Sequence, residues 1–95
     1  MTKKRFSSVW DAIEDSAASA ASMKLRAELA NQIIERMKAL DLTQAKAAER
    51  IGVTQPRISD LVRGRLSLFS LDALVDMADR VGLRTKVVVT PKRAA

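Results

Sequence analysis

Between Thr43 and Gly64 the chain spells two helix starts and two helix stops, a punctuation that leaves room for two short helices joined by a tight turn. Thr43 is a side chain that accepts a backbone N–H at a helix start, so it begins a helix over Gln44 to Ile51. Gly52 stops that helix, because glycine enters the left-handed conformation without a Cβ clash. Val53 and Thr54 turn the chain, and Thr54 starts the next helix with Pro56 in its first turn, where a missing N–H is harmless. This second helix reaches Val62 or Arg63 before Gly64 ends it. Ile58, Leu61 and Val62 mark its inner face. Gln55, Arg57, Ser59, Asp60 and Arg63 remain outside, a surface of amides, carboxylate and guanidinium forks. The small Ala48 lets the two helices cross closely, while Val53, Ile58 and Leu61 fill the wedge beneath them.

The rest of the chain reads as support for this pair. Met23, Ala27, Ala30, Ile34 and Met37, with the neighbouring stripe Leu25, Leu29, Ile33 and Leu40, predict a helix from about Ala20 that ends at the turn Asp41-Leu42-Thr43. Upstream, Val9, Trp10 and Ile13 fall at helical spacing, so Ser8 to Glu14 reads as a short helical turn or a segment that orders on a partner. Trp10, the only tryptophan, is either a plug against the first helix or an anchor for another protein. Ser70 caps a helix from Leu71 to Val81, with Leu71, Leu74, Val75, Ala78 and Val81 inward, an acidic outer face and Gly82 beyond its end. The period then changes. Thr85, Val87 and Val89 alternate with Lys86, Val88 and Thr90 up to Pro91, which predicts a strand. No second strand of that quality exists in the sequence, so this segment is expected to pair with its copy in another subunit or with a different protein, the alternative being a frayed tail. The expected architecture is all-α, five helices and one short C-terminal β-strand pairing across a dimer. It divides into an N-terminal arm (1–22), a helical domain (23–82) and a strand with a basic tail (83–95).

Composition narrows the chemistry. Ninety-five residues hold one small domain, and a chain of this size gains from a dimer interface. With no cysteine and no histidine, thiol nucleophiles, disulfides and the commonest general base and metal ligand are absent. Asp72, Asp76 and Asp79 are spaced as a solvated helix face rather than a magnesium site, so neither catalysis, a cofactor, a metal nor a small-molecule substrate is expected. No apolar run approaches a membrane span and no signal peptide is visible, so the chain reads as cytoplasmic. The net charge of +6 sits in the tails, since residues 27–81 balance. Within that middle, Arg50, Arg57, Arg63 and Arg65 gather around Asp60 alone, whereas Asp72, Asp76 and Asp79 are answered only by Arg80. A local arginine cluster of this kind is the electrostatic footprint of a nucleic-acid surface.

A helix, a glycine-containing turn and a second helix form the unit that lays a helix in the DNA major groove. The stretch from Leu42 to Leu61 resembles the Cro/phage-repressor, or XRE-like, helix-turn-helix family with its lambda-repressor-like fold, and the resemblance runs roughly from Ala27 to Gly82. The segments Ser8–Asp15, Met23–Arg26, Thr54–Arg57, Ser59–Leu61, Arg63-Gly64 and Leu68–Leu71 are further similar to HigA-type antitoxins of toxin–antitoxin operons. That resemblance implies a homodimeric repressor of its own operon, bound to a pseudo-palindromic double-stranded operator, that neutralises an mRNA-cleaving toxin protein. It places Gln55 at the first base-reading position, where its amide can pair with adenine, and gives Arg57 guanine or a phosphate and Ser59 either kind of group. Gln44, together with Thr43 and Thr54, belongs to the implied phosphate contacts, and Arg63 and Arg65 look like phosphate clamps at the exit of the reading helix. Asp60 departs from the amide many relatives carry. It can accept from cytosine or pair with Arg63 or Arg57, and the internal pair is the favoured expectation. Trp10, Val87 and Val89 are the expected partner or dimer contacts. The competing reading is a protein-interaction module that uses the Trp10 segment or the terminal strand and has no specific DNA site.

Overall fold

The computed structural model describes the backbone from Val9 to Lys92 and the side chains from Ala20 to Lys92. Expectations for the side chain of Trp10 and for the basic arm before it lie outside these residues.

Four α-helices and one 3-10 turn follow one another among the described residues: α1 Val9–Ala39, α2 Gln44–Ile51, α3 Gln55–Val62, the 3-10 turn Leu66–Leu68, and α4 Leu71–Arg80. The expectation of five helices is corrected at the start of the chain. Its short first turn and the following helix are one continuous α1 of 31 residues. The Ala/Ser stretch between them contains neither glycine nor proline, and alanine is the best helix former, so the serines and Asp15 do not break it.

Three helices begin with one device. Thr43, Thr54 and Ser70 accept from the N–H of Lys46, Arg57 and Ala73, at 3.1, 3.4 and 3.0 Å. The residue before each cap and the fourth residue of the helix are apolar: Leu42 with Ala47, Val53 with Ile58, Phe69 with Leu74. All six are buried or half-buried in one core, the spacing of a hydrophobic staple that sets the angle at which the chain enters each helix. The helix ends are equally regular. At the close of α1, the N–H groups of Leu42 and Asp41 donate to the carbonyls of Met37 and Lys38, with Asp41 left-handed at φ 57°. Gly64 and Gly82 close α3 and α4 through the same pair of bonds.

The core is the meeting place of all these elements. Ile33, Ile51, Ile58, Leu61, Phe69, Leu74 and Val81 are its largest fully buried side chains. α1 packs chiefly on α4, α2 on α3, and the 3-10 turn on α1 and α3. Arg36 of α1 ties the far end of α4 by donating from Nε to the Val81 carbonyl at 2.8 Å, where the helix end is electronegative. Two positions expected to face inward do not. Val62 and Val75 are 41% and 38% exposed, and Met77 takes the inward position on α4 beside Leu74, Ala78 and Val81.

The expected C-terminal strand is the second correction. Residues 83–92 carry no strand hydrogen bonds, and no strand occurs among the described residues. Leu83 packs on the core, but Val87, Val88 and Val89 are 68%, 75% and 86% exposed. A strand exists only by pairing, and the described residues offer this run no ladder partner.

Gly52, at the turn between α2 and α3, takes φ 85°. Gly52→Ala is expected to lower stability by about 1–2 kcal/mol, the order of cost of a left-handed L-residue. A Cβ there lies 3.3 Å from Arg80 Nη1, the movable end of a long side chain, so the backbone term dominates. Urea melting of both proteins checks this, and an unchanged midpoint would contradict it.

Candidate nucleic-acid interface

The turn between α2 and α3 is built from one carbonyl. Ala48 O accepts from Gly52 N at 2.8 Å and from Val53 N at 3.0 Å, which ends α2 and redirects the chain so that Thr54 can cap α3. Ala47 and Ala48 are buried on α2, which packs on α3. Ile58 and Leu61 lock the inner face of α3 into the core. Rotation of α3 about its axis is therefore fixed, and with it the set of side chains that solvent meets.

That set is polar. Gln55, Pro56 and Arg63 are exposed, and Arg57, Ser59 and Asp60 are half-buried. At the start of α2, Thr43 is exposed and Gln44 half-buried. The Thr43 side chain and carbonyl satisfy the N–H groups of Lys46 and Ala47. Among the described residues nothing accepts from those of Gln44 and Ala45, and no acidic residue lies in this first turn. Such a helix start carries partial positive charge and free donors, the surroundings in which a phosphate oxygen is stabilised. Thr54 caps α3 in the same way, and the hydroxyl proton of each threonine remains free to donate.

Two charged side chains go elsewhere than their sequence positions imply. Asp60 is paired inside the chain, but with Arg65 rather than with Arg63 or Arg57. Its Oδ1 lies 3.9 Å from Arg65 Nη1, while the Asp60 carbonyl accepts from the Arg65 N–H at 3.0 Å. The backbone bond that closes α3 brings these two residues together across the Gly64 turn. Both side chains are partly exposed, so the ion pair is weak, about 0–1 kcal/mol. Arg57 turns back onto the fold. Its Nη1 donates to the Leu68 carbonyl at 2.8 Å, and its guanidinium carbon stands 4.0 Å from the centre of the Phe69 ring. Arg63 and Arg65 extend from the end of α3 and the loop after it, both exposed. Arg50 adds another exposed guanidinium in the last turn of α2.

Phe69 is the residue that sequence reasoning passed over. It lies between a 3-10 turn and a capped helix, which reads as loop, yet it is 1% exposed and forms the floor under Arg57. The signal was its place immediately before Ser70, with Leu74 four positions into the helix.

The acidic face of α4 stands apart from these residues. Asp72, Asp76 and Asp79 line an open depression of about 760 Å³ with Arg84 and Thr85, and Asp76 is bound to Arg80 at 3.1 Å. No group of three possible metal ligands occurs among the described residues. None of the described helices is long and apolar enough to cross a membrane.

A helix held by its apolar face across a glycine turn, with polar forks outward and basic side chains at its exit, defines a DNA-binding helix-turn-helix unit. A sequence model of the helix-turn-helix domain matches residues 12–90, and the chain belongs to that family. Comparison with curated proteins finds no match. The matched range takes in most of α1 and most of the C-terminal run as well as the helix pair.

Proposed function

We propose that the chain is a sequence-specific transcriptional repressor that binds a pseudo-palindromic operator as a homodimer. The observation that carries this reading is the fixed rotation of α3. Ile58 and Leu61 are fully buried, so Gln55 and Ser59 stand on a helix that cannot turn them away. In the major groove, the Gln55 amide pairs with adenine N6 and N7, and Ser59 reaches a base edge or a phosphate. Asp60 is held by Arg65, which tempers its repulsion from phosphate and leaves one carboxylate oxygen for a cytosine amino group. Thr43, Gln44, Thr54, Arg63 and Arg65 take phosphates and set the register.

The second copy enters through the C-terminal run. Residues 84–90 form neither helix nor strand, are exposed at three successive valines and have no ladder partner among the described residues. They border an apolar groove of about 500 Å³ between α1 and α4, lined by Leu25, Leu29, Val75 and Leu83. The run carries Arg84, Lys86 and Lys92, while the outer face of α4 carries Asp72, Asp76 and Asp79. Two copies related by a two-fold axis pair their runs as antiparallel strands and set basic segment against acidic helix. Such a dimer presents two copies of α3 to half-sites about 34–36 Å apart, one turn of B-DNA.

The similarity to HigA-type antitoxins extends the proposal: the repressor is the antitoxin of a toxin–antitoxin operon and neutralises an mRNA-cleaving toxin. The matching segments at Ser8–Asp15, Met23–Arg26 and Leu68–Leu71 support this role. No catalytic step is assigned to the chain.

Sequencing the fragments of the source genome that the purified protein retains tests the reading at about 150 mM salt, where non-specific phosphate binding is weakened. The expected result is a two-fold-symmetric site upstream of its own gene, with a toxin encoded in the adjacent reading frame. No enrichment, together with co-purification of another protein, would favour an interaction module instead. On the retained site, Gln55→Ala is expected to cost about 1–3 kcal/mol and to relax preference at one position, whereas Arg65→Ala weakens all duplexes alike and lowers the salt slope by about one. The dimer is checked by sedimentation. The wild-type chain is expected to sediment as a dimer and the Val87→Lys/Val88→Lys variant as a folded monomer; identical mass for both would contradict strand pairing.

A further inference from the structure

Arg57 occupies the first turn of α3, between exposed Pro56 and buried Ile58, yet its side chain leaves the helix and spans to the segment after it. One guanidinium makes both contacts there: Nη1 donates to the Leu68 carbonyl at 2.8 Å, and the cation lies 4.0 Å from the centre of the Phe69 ring. The ring cannot yield. Phe69 is 1% exposed and belongs to the same core as Leu61 and Leu74. At the other end of the segment, the Arg65 N–H donates to the Asp60 carbonyl at 3.0 Å, and the Arg65 guanidinium lies 3.9 Å from the Asp60 carboxylate. Residues 63–69 are therefore tied to α3 twice, by the helix-closing bonds at their start and by Arg57 at their finish. Arg63 and Arg65, both exposed, stand at the first of these ties.

A planar guanidinium suits this work because it stacks on an aromatic face and donates from its edge at once; an ammonium does not. Phosphate contacts made by long side chains depend on where the backbone beneath them is held, so a segment tied to the reading helix brings its cations to the DNA in register.

We propose that Arg57 is a positioning residue for DNA recognition: braced on Phe69 and Leu68, it holds the 63–69 segment so that Arg63 and Arg65 meet phosphates, and it contacts neither base nor phosphate itself. This rests on the DNA-binding reading above and deepens it, since it separates the residues that touch DNA from the one that sets their geometry.

The experiment is a mutant cycle with a structural readout beside it. Arg57→Ala and Arg57→Met are each made in the wild-type chain and in Arg63→Ala/Arg65→Ala, with melting curves to verify the fold. Binding is measured on the retained genomic site and on a mixed-sequence duplex. In the wild-type background each Arg57 variant is expected to weaken both duplexes by the same factor, on the order of tenfold, close to the loss expected for one good ionic contact. In the Arg63→Ala/Arg65→Ala background the same change is expected to have less than about a twofold effect, because residues acting through one another are non-additive. A full effect in that background, or relaxed preference at a single base pair, would overturn the proposal by showing that Arg57 touches DNA. The side-chain protons of Arg57 are also expected to be shifted upfield by the Phe69 ring in the free protein and to remain so when duplex is added. Loss of that shift on adding DNA overturns the proposal as well. If the wild-type chain binds neither duplex, the DNA-binding reading fails and this proposal with it; the ring shift in the free protein tells that failure from the absence of the brace.

Discussion

The whole interface depends on a single carbonyl and the glycine that lets the chain reach it. Ala48 O accepts two N–H groups because Gly52 takes φ 85°, and only then can Thr54 begin α3 two residues later. A longer turn would separate α2 and α3, and the contact between them would open. With the contact closed, Ile58 and Leu61 reach the core, and the outward residues of α3 follow without further choice. The specificity of such a site rests on backbone geometry before any polar side chain is considered.

Much of this was legible in the chain. Thr43, Thr54 and Ser70 mark the starts of α2, α3 and α4, and Gly52, Gly64 and Gly82 their ends, because caps and stops act over a few residues and need no knowledge of the rest of the fold. What failed depended on distance or on a partner. The Ala/Ser stretch looked like a boundary, since serine and aspartate compete for backbone N–H groups, but the propensity of five alanines between Ala12 and Ala21 carries α1 through it. The β-branched run at 85–90 has strand propensity but finds no second strand among the described residues. The target of Arg57 lies eleven residues away, on a carbonyl placed by a 3-10 turn, and no local pattern announces it. Asp60 was read correctly as internally paired and incorrectly in its partner, because closing α3 at Gly64 brings Arg65 back over the helix.

The charges obey a similar division of labour. Exposed guanidinium groups at Arg50, Arg63 and Arg65 lie on and after the helix pair, and the carboxylates of Asp72, Asp76 and Asp79 gather on α4. An acidic helix is repelled from a duplex, so the carboxylates of α4 disfavour approach by that face. The same acidic face is complementary in charge to the basic C-terminal run. Both surfaces are made of exposed charges, so salt screens them.

The central claim, that α3 and the segments flanking it form the face that meets DNA, is tested most directly by following every backbone amide of the isotope-labelled protein as a duplex is added. The account predicts that the largest shifts fall on Gln44 and Ala45 at the start of α2 and on residues 54–65, with α4 and its acidic face little changed. Shifts centred on Leu25, Val75 and residues 84–88, with α3 unmoved, would contradict it and make the apolar groove, not the helix pair, the surface on which this protein works.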